Sequence, residues 1–299
     1  MKEGQKEFLP NRESGEQKPT VKLFLFRHAQ KESREHNAAA EVPLSDLGRE
    51  ESHKLGLRTR ANPEVAVGYG SSRVRTQETA GQVILANLSE INEDTTLAEM
   101  EKVVNQYLNK GKEKGPQKKK VGIDPRLDFK FKGEMSGQAK KAIEQGRYLK
   151  WIVEQSDSVA SKSSDPEALG FSKLAGNVAK IMQKYGKVAR NWERLRQEKP
   201  EKYQDVSNQL ERYLASHGGV LESFLVKVIK LAGSEQDLLE FEEQYPNGFS
   251  ELEGFRVEIE RDSEQNIFQI SYQIGGEQKE LKIIGEILEK IIAEAQDND

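Results

Sequence analysis

Cysteine is absent from all 299 residues, which excludes disulfides, thiolate catalysis and cysteine-based metal sites. Long apolar runs are absent too: no stretch of about 18 apolar residues exists, so no membrane-spanning helix and no membrane partner are expected. The start, Met1-Lys2-Glu3-Gly4-Gln5-Lys6, is polar and has no apolar signal region, and the expected location is the cytoplasm. An excess of positive charge is lacking: 46 Lys and Arg against 50 Asp and Glu leave a net −4, which argues against a polyanion such as nucleic acid as partner. Any phosphate-binding site must therefore be a local concentration of cations. Histidine is scarce, with four residues, His28, His36, His53 and His217. Their spacing matches no metal-ligand pattern, so no metal or other cofactor is expected. The length is enough for one large domain or two modest ones with a sizeable core.

Residues 1–19, rich in Lys, Glu, Gln, Gly, Ser and Asn, are expected to form a disordered tail. Val21 to Phe26 is β-branched and aromatic and too short for a typical helix, so it reads as a buried strand ending at Arg27-His28. Ser45 reads as the N-cap of a helix running to about Arg60, with acids in its first turn. Asn62-Pro63 breaks the chain, Val65 to Tyr69 reads as a second strand, and Ser71-Ser72 is expected to cap a helix through about Leu88. This strand–helix alternation favours a parallel sheet. The basic, Gly- and Pro-punctuated stretch 109–120 reads as a solvated loop. From Gln138 to about Arg196, apolar residues at helical spacing predict two or three long helices, and Val220 to Leu231 predicts another. Phe255 to Glu260 and Ile267 to Ile274 alternate with period two around a polar turn, the pattern of a hairpin. A helix from about Gly285 to Ala295 closes the chain.

Arg27-His28-Ala29, Leu44-Ser45-Asp46-Leu47-Gly48-Arg49-Glu50, Ser71-Ser72-Arg73-Val74-Arg75-Thr76-Gln77-Glu78-Thr79-Ala80 and Ser216-His217-Gly218-Gly219 stand in a fixed order along the chain. In that order they resemble the histidine phosphatase superfamily, which includes the cofactor-dependent phosphoglycerate mutases. The resemblance covers residues 21–88, 121–137 and the segment around 210–225. It implies a three-layer α/β/α sandwich with a mostly parallel central sheet. Residues 20–299 would form a single domain of that kind, carrying a helical insertion or cap at about 100–205 and a C-terminal β-hairpin plus helix.

The residue types suit phosphoryl transfer. A phosphoryl group in its transition state spreads charge over three equatorial oxygens, so catalysis is largely positioning plus cationic hydrogen bonding around an in-line nucleophile. By resemblance, His28 is the nucleophile that becomes phosphorylated, which requires a neutral ring whose other nitrogen donates to a backbone carbonyl. Arg27 and Arg75 would clamp the phosphoryl oxygens, His217 would donate from opposite the nucleophile, and Gly218 and Gly219 would allow close approach. Arg75 takes this role because it matches the family's Arg four positions after the Ser. Arg73, about 200° away around a helix, is left as support. His36 and His53 read as surface residues.

One position departs from the family. Where members acting on alkyl phosphates place a Glu as proton donor, in an Asp-x-Arg-Leu-x-Glu segment, this chain has Asp124-Pro125-Arg126-Leu127-Asp128-Phe129. Phenylalanine cannot shuttle a proton. The acid could have moved to Asp128 or Glu134, although Asp128 would point the other way in an extended segment, or it could come from Glu222 or the helical insertion. Alternatively none is needed, because an acyl phosphate, a pyrophosphate or a phosphohistidine departs with less assistance than an alkoxide. The expected function is a metal-independent phosphatase acting on a phosphorylated small molecule or a phosphoprotein. A catalytically weak or inactive member that binds phosphorylated ligands or a partner protein is the alternative, and a mutase is disfavoured by Phe129.

Overall fold

The structure is a computed structural model that describes residues 18–33, 41–63, 65–100, 102–103, 120–131, 133–165, 167–203, 206–262 and 264–297. Expectations for His36, for the tail through residue 17 and for the basic loop through Lys119 fall outside the described residues.

The strands are β1 (Thr20–Arg27), β2 (Val67–Gly70), β3 (Val121–Ile123), β4 (Gln209–Ser216), β5 (Gly254–Asp262), β6 (Gln265–Ile274) and β7 (Glu277–Ile284). They form one seven-stranded sheet in the order β3-β2-β4-β1-β5-β6-β7. β3, β2, β4 and β1 run parallel, and β5, β6 and β7 continue the sheet as an antiparallel meander from β1. β1 lies between two neighbours and is buried along most of its length, as its near-continuous apolar sequence requires. The hairpin read from the sequence thus extends the central sheet, and β7 lengthens it. β7 escaped the sequence reading because Glu277-Gln278-Lys279-Glu280 is polar, a composition that suits an exposed edge.

Alternation along the strands feeds a core on each face. Val21, Leu23, Leu25 and Leu214 point into one, and Phe26, Tyr213 and Ala215 into the other. Each fully buried side chain of this size contributes roughly 1.5–3 kcal/mol of transfer free energy. The second face is covered by α1 (Asp46–Thr59) and α2 (Val74–Leu85), which pack on each other. Ser45 caps α1 as expected, its Oγ accepting the Gly48 N–H at 3.1 Å. α2 begins later than expected, with Arg73 at its N-cap and no side-chain cap. The reason lies at Ser71, whose hydroxyl is held by Thr76 and His217.

The long helical stretch divides into α3 (Gly133–Glu144), α4 (Tyr148–Ser161) and α5 (Phe171–Glu198). After β4 come α6 (Val220–Ala232), then α7 (Glu235–Gln244), and at the end α8 (Gly285–Asp297). The 28-residue α5 buries Leu174, Val178, Ile181 and Met182 and packs against α6, α8 and β1. It is therefore a member of an outer layer, and α3 and α4 are the helices of this stretch outside it.

Candidate active site

Three parallel strands end side by side. In register, Arg27 of β1 faces Ser216 of β4, and Gly70 of β2 faces Ala215. The next residues, His28, His217 and Ser71, consequently emerge together at the carboxyl edge, where open α/β sheets bind ligands. The two histidine rings meet at 70° with centroids 5.2 Å apart. His217 Nε2 lies 2.8 Å from Ser71 Oγ.

Several motif residues frame this edge. The Gln30 carbonyl accepts from the Ser45 backbone N–H at 3.0 Å, and a Cβ on Gly48 would stand 2.0 Å from that same oxygen. Only glycine lets the first turn of α1 approach the loop that follows His28. From α2, Thr79 Oγ1 accepts the Ala29 N–H at 3.2 Å and Glu78 accepts the Leu44 N–H at 2.6 Å. The Ser45-to-Gly48 and Glu78-Thr79 pairs thus hold the His28 loop from two directions.

Within the frame, His28 Nδ1 is 2.7 Å from the Ala29 carbonyl, which can only accept, so Nδ1 carries the ring proton. Arg75 Nε donates to His28 Nε2 at 3.1 Å, so that nitrogen presents its lone pair. Burial pushes the His28 pKa down from the ordinary value to about 3; the charges of Arg75, Arg27 and Lys31 add to this, while the Ala29 carbonyl opposes it. His217 is held well below its ordinary value by burial, then by the nearness of His28, beside which a second positive ring is disfavoured, and by the charges on Arg75, Arg73 and Arg27. Both rings are neutral at pH 7.

Arg27 donates through Nη1 to the Phe249 carbonyl at 2.6 Å, and Gly218 lies beneath its guanidinium, where an added Cβ would be 3.5 Å from Nη1. Arg27 Nε and His217 Nδ1 are buried and have no hydrogen-bond partner among the described residues. Buried donors are nearly always paired. With the Ser71 proton on His217 Nε2, Nδ1 is a donor, and together with Arg27 and Arg75 it can serve an anion in front of the His28 lone pair.

Arg73 sits at the N-cap rather than within α2, so the helical angle used for it does not apply. Its guanidinium lies 5.0 Å from the Phe129 ring centroid, and its charge bears on His217. His53, expected at the surface, is half-buried on α1. Among the described residues no group of three or more His, Cys, Asp or Glu is placed to hold a metal ion, and no helix is long and apolar enough to cross a membrane.

The three candidate acids separate. Asp128 does not point away: a 3-10 turn at Pro125–Leu127 rotates the segment, so that Oδ2 accepts the Ser72 N–H at 3.1 Å and Oδ1 lies 3.9 Å from His217 Nε2. It stands on the Ser71 side of that ring, opposite Nδ1. Glu134 is exposed at the start of α3 and bonded to Gln138, because Gly133 begins a helix rather than continuing toward the site. Glu222 is fully buried, but its two oxygens accept the Gly219 N–H at 2.8 Å and the Phe249 N–H at 2.6 Å. Burial raises its pKa, and these backbone bonds work against the rise. Glu222 therefore ties the start of α6 to the loop whose carbonyl holds Arg27. In Glu222→Gln one of the two N–H groups faces an amide N–H₂, and we expect a loss of about 1–3 kcal/mol in denaturant unfolding at pH 7.

Sequence reasoning had no signal for the Phe249 carbonyl, a backbone acceptor 222 residues from Arg27. It read Ser71 as a cap rather than as a partner of His217.

Residues 23–120 match the family model described as histidine phosphatase superfamily (branch 1). No curated protein matches in sequence. Among solved structures, a mycobacterial glucosyl-3-phosphoglycerate phosphatase is similar at 14% identity and a TM-score of 0.41, over 81% of this chain and 90% of that one. A structure titled mycobacterial hydrolase 2 is similar at 14% identity and a TM-score of 0.41, over 92% of this chain and 97% of that one. The matched segment, which is similar to the histidine phosphatase superfamily over about a third of the chain, includes Arg27, His28 and Arg75 and lies in an α/β fold with a mixed seven-stranded sheet.

Proposed function

We propose that the chain is a metal-independent phosphatase that works through a phosphohistidine at His28. The observation that carries this reading is the fixed, neutral tautomer: Nδ1 is committed to the Ala29 carbonyl, and Nε2 is the unprotonated nitrogen, whose lone pair accepts from Arg75 Nε until an incoming phosphoryl oxygen takes over that N–H. The lone pair forms the N–P bond as the bond from phosphorus to the leaving oxygen breaks, and the electron pair stays on that oxygen. The charges of Arg27 and Arg75 neutralise the phosphoryl oxygens, and neutral His217 helps to orient them with a hydrogen bond. Water then attacks phosphorus, the N–P pair returns to Nε2, and solvent balances the proton lost by water against the one gained by the leaving group.

With Phe129 at the position of the proton donor, the leaving group must depart unprotonated. General acid catalysis is typically worth about 10²–10⁴-fold, so ordinary alkyl phosphates should turn over poorly and activated phosphates well. A phosphate-binding protein without turnover is the second reading, and Phe129 is also what favours it. Brief exposure to ³²P-labelled acetyl phosphate, followed by denaturation, decides between them. The expected result is an acid-labile, alkali-stable label that maps to His28 and forms equally well with chelator present. Bound phosphate without covalent label would establish the second reading instead.

A further inference from the structure

Beside His217 stands a series of aromatic rings. Phe129 meets His217 at 67° with centroids 4.7 Å apart, and meets Phe131 at 74° and 5.5 Å. Phe131 meets Trp151 at 5.7 Å, and Trp151 stacks on Tyr148 at 6.1 Å with an interplanar angle of 16°. The Tyr148 hydroxyl donates to the Gly218 carbonyl at 3.3 Å, which closes the series back onto the site. Trp151 and Tyr148 are buried, whereas Phe129 and Phe131 keep open surface. The Arg73 guanidinium lies against Phe129.

Chemistry and shape limit the leaving group separately. Without a proton donor at position 129, the departing atom must be a weak base; a phenol-type hydroxyl, with a pKa of about 10, qualifies where a hydroxyl near water's ~15.7 does not. The rings select further. Acyl phosphates and pyrophosphates leave as small, strongly hydrated anions, for which aromatic faces provide no hydrogen bonds. An imidazole leaving group is planar but departs without negative charge, so it gains nothing from Arg73. A phenolate is planar, aromatic and anionic at once.

We propose that the substrate is an aryl phosphate monoester, with its ring against Phe129 and Phe131 and its departing oxide facing the Arg73 charge. This rests on His28 being the nucleophile. As the His28 N–P bond forms, the P–O bond to the aryl group breaks, its electron pair stays on the phenolic oxygen, and the resulting aryl oxide takes a proton from solvent.

The test compares kcat/KM on phenyl phosphate, p-nitrophenyl phosphate and a phosphotyrosyl peptide with that on glycerol phosphate, acetyl phosphate and phosphoimidazole. Wild type, Phe129→Leu and Phe129→Glu are assayed. Aryl over alkyl preference should be about 10²-fold or more. Phe129→Leu should raise KM for phenyl phosphate about 3- to 10-fold more than it raises KM for acetyl phosphate. Phe129→Glu should raise glycerol phosphate turnover by about 10²-fold or more. Turnover of phenyl phosphate without the peptide assigns a small-molecule source, turnover of the peptide without phenyl phosphate a protein source, and either supports the class. Equal rates on alkyl and aryl esters, a better rate on phosphoimidazole, or an equal KM change for acetyl phosphate in Phe129→Leu overturns it while the His28 label stands. If Phe129→Leu fails to fold, the wild-type aryl-to-alkyl ratio decides. No label on His28 from any of these compounds overturns the proposed function itself.

Discussion

Replacing His28 with alanine should lower phosphate release by on the order of 10³-fold or more and remove the covalent label, because the variant has no second nucleophile in line. His217 cannot substitute. Its Nε2 is engaged by Ser71 at 2.8 Å, and its ring lies at 70° to that of His28, so its nitrogens do not occupy the position of the His28 lone pair. The proposed phosphate cage of Arg27, Arg75 and His217 keeps its residues in this variant, which should still bind inorganic phosphate as a competitive ligand. Rate and binding then come apart, and this separates a nucleophile from a residue that merely shapes the pocket. Full activity in His28→Ala, with an unchanged far-UV spectrum, would remove His28 from the chemistry.

What could be read in the sequence was what is local. The strand before Arg27-His28, the Ser45 cap and the Arg75 position each depend on a few neighbouring residues, and the structure shows a strand, a capped helix and an Arg75–His28 contact there. What escaped depends on pairings across the chain. The direction of Asp128 could be read only on the condition of an extended segment, because the turn at Pro125–Leu127 is short, and its partners Ser72 and His217 are 56 and 89 residues away. Glu222 looked like a spare acid because nothing in its neighbourhood reveals that the Phe249 backbone would reach it.

The aromatic series was hidden for a similar reason. Tyr148 and Trp151 fall on the apolar stripe of α4 and read as ordinary helix core, whereas Phe129 and Phe131 lie in an irregular segment. Only the fold shows that the four rings join into one surface ending at His217. The same contacts give Phe129 a positive role. It replaces a proton donor with a face that takes up an aromatic leaving group.

Acidification should destabilise the protein steeply between about pH 6.5 and 4.5, and His28→Ala should blunt the effect. His28 is neutral in the fold down to about pH 3, and His217 is likewise held well below its ordinary range, so near pH 5 the unfolded chain binds protons at both positions and the folded chain does not. Stability rises with pH wherever the unfolded state binds more protons. It is therefore complete above the unfolded histidine value near 6.5 and declines below it, by at most about 1.4 kcal/mol per pH unit for each histidine. Over two pH units the pair could remove up to about 5 kcal/mol, comparable with the whole stability of a typical domain. Carboxyls whose pKa burial raises act in the other direction. Burial raises Glu78, Glu211 and Glu222 in the fold, so each takes up its proton there before the unfolded chain does, which returns part of the loss as pH falls. The net slope mixes both effects, but the difference between wild type and His28→Ala does not, since the carboxyls are common to the two proteins. Denaturant midpoints at pH 7, 6 and 5 should show the wild type losing about 1 kcal/mol per pH unit more than the variant below pH 6. Parallel pH profiles would mean that His28 takes up its proton in the fold over the same range as in the unfolded chain, near pH 6.5, and so is not the buried, neutral ring on which the proposed attack depends.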